Sequence, residues 1–301
     1  MTPVLEVKNL SKSHRKTKAV DNFNLSVEQG HICGLIGPNG AGKTTIMKIL
    51  AGLTEKDSGD VFFFGDSKNL DENRSRMSFM IENPMLDGNM TARQNLEFIR
   101  YVRGVADKKR IDEVLEFVEL EDNSKKVSKY SLGMKQRLAI AVSLLSSPEV
   151  MILDEPINGV DPEGIVDIRK MLQKLSAEQN VTILISSHIL SEMAELCTNF
   201  AIIHSGKLIE ELSAEELAVK CRNHISLKTD NINKTTFVLE DKLNIKNYKI
   251  LHGDEIHIYE RIGEIPLISK TVTDNGLIIT KLINDGESLE EYYLSKVGGS
   301  K

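Results

Sequence analysis

Gly37-Pro38-Asn39-Gly40-Ala41-Gly42-Lys43-Thr44 fits the pattern G-x-x-x-x-G-K-[ST], with glycines, a lysine and a hydroxyl spaced to enclose a phosphate chain. Gly37, Gly40 and Gly42 are expected to let the backbone take positive φ, with no Cβ between main chain and ligand. Successive N–H groups would then face inward, and a following helix would add the positive end of its dipole. Lys43 has the reach for β- and γ-phosphates, and the Thr44 hydroxyl, beside Thr45, is placed to ligate Mg²⁺. The alternative is a chance match in a glycine-rich turn. Against it stands the context, a β-rich apolar run over 31–36 before the motif and a helix-forming run over 45–51 after it.

Two further stretches put chemical groups at strand ends. The continuous apolar run 150–153 suits a strand buried on both faces of a parallel sheet. It delivers Asp154 and Glu155 at its carboxyl end, where open α/β sheets bind ligands. The run 181–185 ends likewise in Ser186-Ser187-His188. Asp161 before Pro162 has the form of an N-cap followed by a proline at the first helical position.

The elements that must position these groups follow in order. Strands are expected over 4–10, 23–27 and 59–65, with the basic segment 12–18 as a solvated hairpin turn between the first two. After Glu82-Asn83-Pro84 the pattern turns helical. Thr91 and Gln94 have capping-box spacing, and Ile111, Val114, Leu115 and Val118 mark one helix face. Residues from about 85 to 147 therefore read as a helical insertion within the phosphate-loop core. Ile165, Ile168, Leu172 and Leu175 predict the core face of the helix after Pro162, and His204-Ser205-Gly206 a hairpin turn. From about residue 220 the predicted order is strand, helix, strand, strand, helix, strand, with Gly253 and Gly276 at turns and a last helix over 288–297. That order suggests a ferredoxin-like α+β domain over 220–301, beside an α/β domain over 1–219.

The chain has 301 residues, with 38 Lys and Arg against 44 Asp and Glu, a net charge of −6. An acidic chain lacks the usual footprint of a nucleic-acid binder. Cys33, Cys197 and Cys221 are odd in number and widely spaced, as expected of reduced thiols in a cytosolic protein. No signal peptide and no spanning apolar run are evident, so any membrane role is expected to use separate chains.

The ordered set of Gly37–Thr44, Tyr130–Arg137, Asp154-Glu155-Pro156, Asn158–Asp161 and Ser187-His188 resembles the ATP-binding subunits of ABC transporters over residues 1 to about 212. The resemblance implies an ABC-type phosphate-loop ATPase fold, a mixed core sheet with a helical insertion, that binds ATP and Mg²⁺. It implies that Asp154 holds the metal, that Glu155 acts as general base on the attacking water, and that His188 holds water and γ-phosphate in line. Ser131 and Gly133 would cap the ATP of a second copy, making a homodimer on ATP binding, and Asp161 would communicate between the two sites. Tyr130, Leu132 and Met134 depart from the common Leu-Ser-Gly-Gly-Gln form. His14 stands where an aromatic ring stacks on adenine, with a solvated turn histidine as the alternative. Glu82 stands in place of the usual glutamine near Mg²⁺. This residue and its surroundings resemble the bacitracin and lantibiotic self-protection branch, whose ATPases power separate membrane-spanning permeases from the cytoplasmic face. Asp154 could instead be a helix-capping carboxylate. For the whole chain, the alternatives are a soluble ABC-type ATPase acting on ribosomes or chromosomes and a simple phosphate-loop kinase.

Overall fold

The apolar runs that end in the phosphate loop, in Asp154 and in His188 lie side by side. The computed structural model describes residues 3–15, 17–82, 86–221, 224–251, 254–285 and 289–297, so Asn83, Pro84, Gly253 and residue 288 lie outside the described residues. The chain divides into two units, residues 1–214 and 215–301.

In the first unit the strands are β1 (Leu5–His14), β2 (Thr17–Val27), β3 (Ile32–Ile36), β4 (Ser58–Phe63) and β5 (Met77–Met80). They continue as β6 (Val150–Asp154), β7 (Thr182–Ser187), β8 (Asn199–His204) and β9 (Lys207–Ser213). Six of them form a sheet in the order β5-β6-β7-β3-β8-β9. Its pairs are parallel except for the β8–β9 hairpin. Every residue of β3, β6 and β7 is buried, which is why these strands read as continuous apolar runs rather than alternating ones. Register pairs Ile36 with Ser187 and Asp154 with Ser186, so all three functional strand ends leave the same side of the sheet.

A second sheet has the order β2-β1-β4 and packs Phe23, Leu25, Val61 and Phe63 into a shared core with Ile46, Met47 and Leu50 of the helix Lys43–Leu50. Each such side chain contributes about 1.5–3 kcal/mol on burial, and together they hold the helix that follows the phosphate loop. The turn predicted across residues 12–18 is narrower than expected. Lys12 pairs with Val20, Ser13 with Lys18 and His14 with Thr17, carrying both strands through the basic segment. Asp57 braces this hairpin, accepting from the Ser13 N–H at 2.6 Å and from Lys12 Nζ at 2.9 Å. The lysine charge is met by a carboxylate at the sheet edge.

The insertion contains helices Ala92–Val102, Lys109–Phe117 and Leu132–Leu144. Thr91 and Gln94 form the predicted capping box, with bonds of 3.2 and 2.9 Å. Ile111, Val114 and Leu115 face the interior. Asp161 takes the extended N-cap backbone before helix Pro162–Gln179, yet its side chain makes no cap hydrogen bond, contrary to the local expectation. Ile168, Leu172 and Leu175 are buried as predicted, while Ile165 is half-buried.

The second unit begins in helix Ala214–Lys220 and contains β10 (His224–Thr229), β11 (Tyr248–Leu251), β12 (Glu255–Ile258) and β13 (Ile279–Asp285). The sheet order is β11-β12-β10-β13, and every neighbouring pair is antiparallel. Helices Ile232–Leu243 and Ile265–Asp274 cover one face through Val238, Leu239, Ile268 and Val272, and helix Leu289–Val297 follows. No helix among the described residues is long and apolar enough to cross a membrane.

Candidate nucleotide site

The loop glycines serve two different needs. Gly40 and Gly42 take φ of 82° and 108°, the left-handed region that favours glycine. Gly37, expected to do the same, keeps an ordinary φ. A Cβ there would lie 2.4 Å from the Ile203 carbonyl oxygen, so packing against β8 is what requires glycine. Gly42 is constrained twice, since its Cβ would also lie 2.4 Å from the Ala19 carbonyl. The Ala41 N–H is used inside the loop, donating to the Pro38 carbonyl at 3.1 Å. Helix Lys43–Leu50 begins at Gly42 with no side-chain cap, which leaves its first N–H groups for an anion.

A cleft of about 380 Å³ opens over this helix start, lined by Ala19, Pro38, Asn39, Gly40, Gly42, Lys43, Thr44, Thr45, Glu155, Asn158 and His188. Lys43 Nζ folds back to donate to the Gly37 carbonyl at 2.6 Å and stands 3.7 Å from Glu155 Oε1. Burial pushes the Lys43 ammonium below its usual pKa, opposed by the Glu155 and Asp154 carboxylates. Asp154, itself buried, accepts from the Thr44 hydroxyl at 2.9 Å and from the Ser186 hydroxyl at 2.5 Å. Two hard oxygens, the Thr44 hydroxyl and the Asp154 carboxylate, thus meet at the base of the cleft. That donor set fits Mg²⁺, which takes few protein ligands and fills its octahedron with phosphate oxygens and water.

Glu155 begins the turn after β6 with φ of 53°, its N–H donating to the Ser186 carbonyl at 3.2 Å and hydroxyl at 3.1 Å. Its Oε2 lies 2.8 Å from His188 Nδ1. With carboxylate and imidazole in contact, the pair can hold a water and take its proton. Ser186 therefore ties the Asp154 carboxylate to the Glu155 backbone, a role the sequence did not disclose. Its only sequence signal is its place before His188, and its bonds depend on the β6–β7 register. Ala19 was likewise not anticipated, and Asn158 was read only as part of the 158–161 motif, with no place in the cleft.

The other expected residues lie outside this cleft. Ser131 caps helix Leu132–Leu144 by accepting the Met134 N–H at 3.2 Å. Gly133 sits against the Asp161 turn, where a Cβ would lie 3.3 Å from Val160 Cγ1 and 3.6 Å from Asp161 Oδ1. His14 is exposed at the end of β1. Glu82 takes φ of 62° and its carboxylate contacts Lys48 Nζ at 2.5 Å, a partner not foreseen.

Comparison with known proteins agrees with this geometry. Residues 20–158 match the ABC transporter family. The chain is 40% identical to the bacitracin transport ATP-binding protein BcrA of Bacillus licheniformis, across 99% of both chains. It is 43% identical to the lantibiotic transport ATP-binding protein SrtF of Streptococcus pyogenes, across 69% of this chain and 90% of that one. A solved dimeric structure of the ATP-binding cassette MJ0796, in a post-hydrolysis state bound to ADP and Pi, superposes with a TM-score of 0.62. It is 25% identical over 70% of this chain and 98% of that chain. A phosphate loop, its partner carboxylates and full-length similarity at this level lead to one assignment: the chain belongs to the ATP-binding proteins of ABC transporters.

Proposed function

We propose that the chain hydrolyses ATP as a Mg²⁺-dependent homodimer and thereby drives membrane-spanning chains that export antimicrobial peptides of the bacitracin or lantibiotic type. The observation that carries the hydrolytic reading is the 2.8 Å contact of Glu155 with His188 beside Lys43. Glu155 takes a proton from a water in line with the γ-phosphate, and His188 keeps carboxylate and water aligned. The water oxygen bonds to phosphorus as the bond to ADP breaks. Lys43 exchanges the Gly37 carbonyl for phosphate oxygens. Thr44 and Asp154 would hold Mg²⁺, which would supply positive charge against the phosphates, and Glu82 is read as standing toward that side. His14 flanks the adenine.

Ser131 and Gly133 do not line this chain's own cleft, so they are read as capping the ATP of a second copy, with Asp161 communicating between sites. Similarity to a dimeric cassette bound to ADP and Pi supports that arrangement. The membrane partner is read as docking at an apolar cleft of about 270 Å³ that Leu53, Phe79, Leu86, Ile99 and Val142 help to line. Phe98, Tyr101 and Val102 stand exposed on the helix Ala92–Val102, which also supplies Ile99. Exposed aromatic and aliphatic side chains beside an apolar cleft suit a helical segment of a partner. Arg103 also lines this cleft, bonded to the Val142 carbonyl at 3.1 Å, and suits an acidic side chain on that segment. On this reading the chain works peripherally, at the cytoplasmic face of the membrane. We read residues 1–219 as the ATP-binding domain and 220–301 as a ferredoxin-like accessory domain, supported by the β-α-β-β-α-β order and the strand order β11-β12-β10-β13.

The test has two parts. The purified full chain should release phosphate from ATP only with Mg²⁺, and light scattering should show an ATP-dependent dimer. Cells lacking the protein should become sensitive to bacitracin or a lantibiotic within a peptide panel. Unchanged resistance across the panel would refute the cargo assignment, and absent turnover would refute the enzymatic one.

A further inference from the structure

Leu132 opens the helix that Ser131 caps, and its side chain is 44% exposed. It leans over Gly159 in the turn after β6. A Cβ at Gly159 would lie 3.0 Å from Leu132 Cδ2, and the φ of 73° there already favours glycine. The next residue repeats the arrangement, Gly133 lying against Val160. Two consecutive pairs thus interlock the helix start with the turn.

That turn is short and tied to the reacting end of the cleft. The Asn158 N–H donates to the Glu155 carbonyl at 3.2 Å and the Val160 N–H to the Ile157 carbonyl at 3.3 Å. The segment from Glu155 to Val160 is therefore a run of closed turns, with Glu155 anchored at one end by Ser186 and Leu132 resting near the other. A displacement of the helix start is transmitted through packed atoms with little slack.

We infer that Leu132 is a positioning residue: seated on Gly159, it ties the helix start that grips the second copy's ATP to the Glu155 carboxylate of its own copy. The inference rests on the dimeric hydrolytic reading above. It assigns Leu132 no contact with phosphate. Its action is through Gly159 and the turn, so that engagement of one nucleotide sets the carboxylate at the other.

The experiment uses the full chain. Leu132→Ala keeps the helix propensity and the Cβ but removes the contact. We expect kcat to fall about tenfold, which corresponds to about 1.4 kcal/mol of barrier, with nucleotide binding unchanged and a sigmoidal dependence of rate on ATP flattened. Leu132→Met, which restores reach and volume, should recover both kcat and the sigmoidal response. Gly159→Ala should slow the wild-type background more than the Leu132→Ala background, because Cδ2 is gone from the second. That non-additivity is the signature of a direct contact. Wild-type kcat and ATP dependence in Leu132→Ala, or strictly additive effects in the cycle, would overturn the inference. So would a loss of turnover explained by unfolding in circular dichroism. If the wild-type chain itself releases no phosphate, the hydrolytic reading fails and this inference with it. If the wild type turns over and Leu132→Ala matches it, only the inference fails.

Discussion

Replacing Glu155 by Gln removes the charge and basicity of one carboxylate while leaving its surroundings in place. The Glu155 N–H bonds to Ser186 are made by the backbone and persist, and glutamine adopts the φ of 53° no worse than glutamate. The amide oxygen can still accept from His188 Nδ1 across 2.8 Å when that nitrogen carries the proton. Fold and ATP binding are thus expected to survive. What disappears is the proton acceptor of the proposed reaction, and a positioned general base contributes about 10²–10⁴ in rate, or about 3–5 kcal/mol of barrier. The expected result is kcat lower by that range with KM within a few-fold. The nucleotide then stays unhydrolysed and a dimer accumulates in light scattering. His188→Ala should give a smaller loss, because His188 acts through Glu155, and the combined variant should be no slower than Glu155→Gln alone. The assay is phosphate release at saturating MgATP. Turnover in Glu155→Gln within about tenfold of wild type lies below the range for a base and would refute the assignment. Additive losses in the double variant would refute the claim that the two side chains act as one unit.

Two other predictions concern carboxylates away from the water. Glu82→Gln should leave ATP turnover within a few-fold but lower peptide resistance, because ionised glutamate only accepts hydrogen bonds and its contact with Lys48 is charge-assisted. Lys48→Ala should mimic it, whereas equal resistance per ATP in wild type and both variants would show Glu82 to be a tolerated replacement. In the second unit, Lys281 lowers the Glu255 pKa from 4.5 to about 2, with Ser226 and His257 adding to this against partial burial. The folded value is the lower one, so the stabilisation is complete above pH 4.5 and lost as pH falls toward 2. Both side chains reach solvent, so screening limits the effect to about 1 kcal/mol. Urea unfolding should show Glu255→Gln less stable than wild type by this amount at pH 7 and nearly equal only near pH 2. An equal difference at both pH values would exclude the charge as its cause.

Local sequence determined much of this protein. The phosphate loop was legible because glycine spacing, a preceding apolar strand and a following helix are all contiguous features. The capping box at Thr91, the apolar face of Ile111, Val114 and Leu115, and the buried runs before Asp154 and His188 were legible for the same reason, since each is a repeat or a short-range bond. The order of strands and helices in the second unit could be read likewise.

What only the tertiary structure decided is where separate segments meet. Thr44 bonds Asp154 across 110 residues of chain, and Ser186 bonds Asp154 across 32, through a register no local pattern encodes. Gly37 needed to be glycine because of the Ile203 carbonyl on another strand, not because of its own φ. Asp57 came to bond Lys12 and Ser13, where a solvated turn was predicted and paired strand is found. Lys48 met Glu82, and Leu132 came to rest on Gly159. Periodicity and turn chemistry act between neighbours along the chain and so are written in it. Such encounters depend instead on strand order and register, which are fixed only when the apolar faces of the whole unit are buried together.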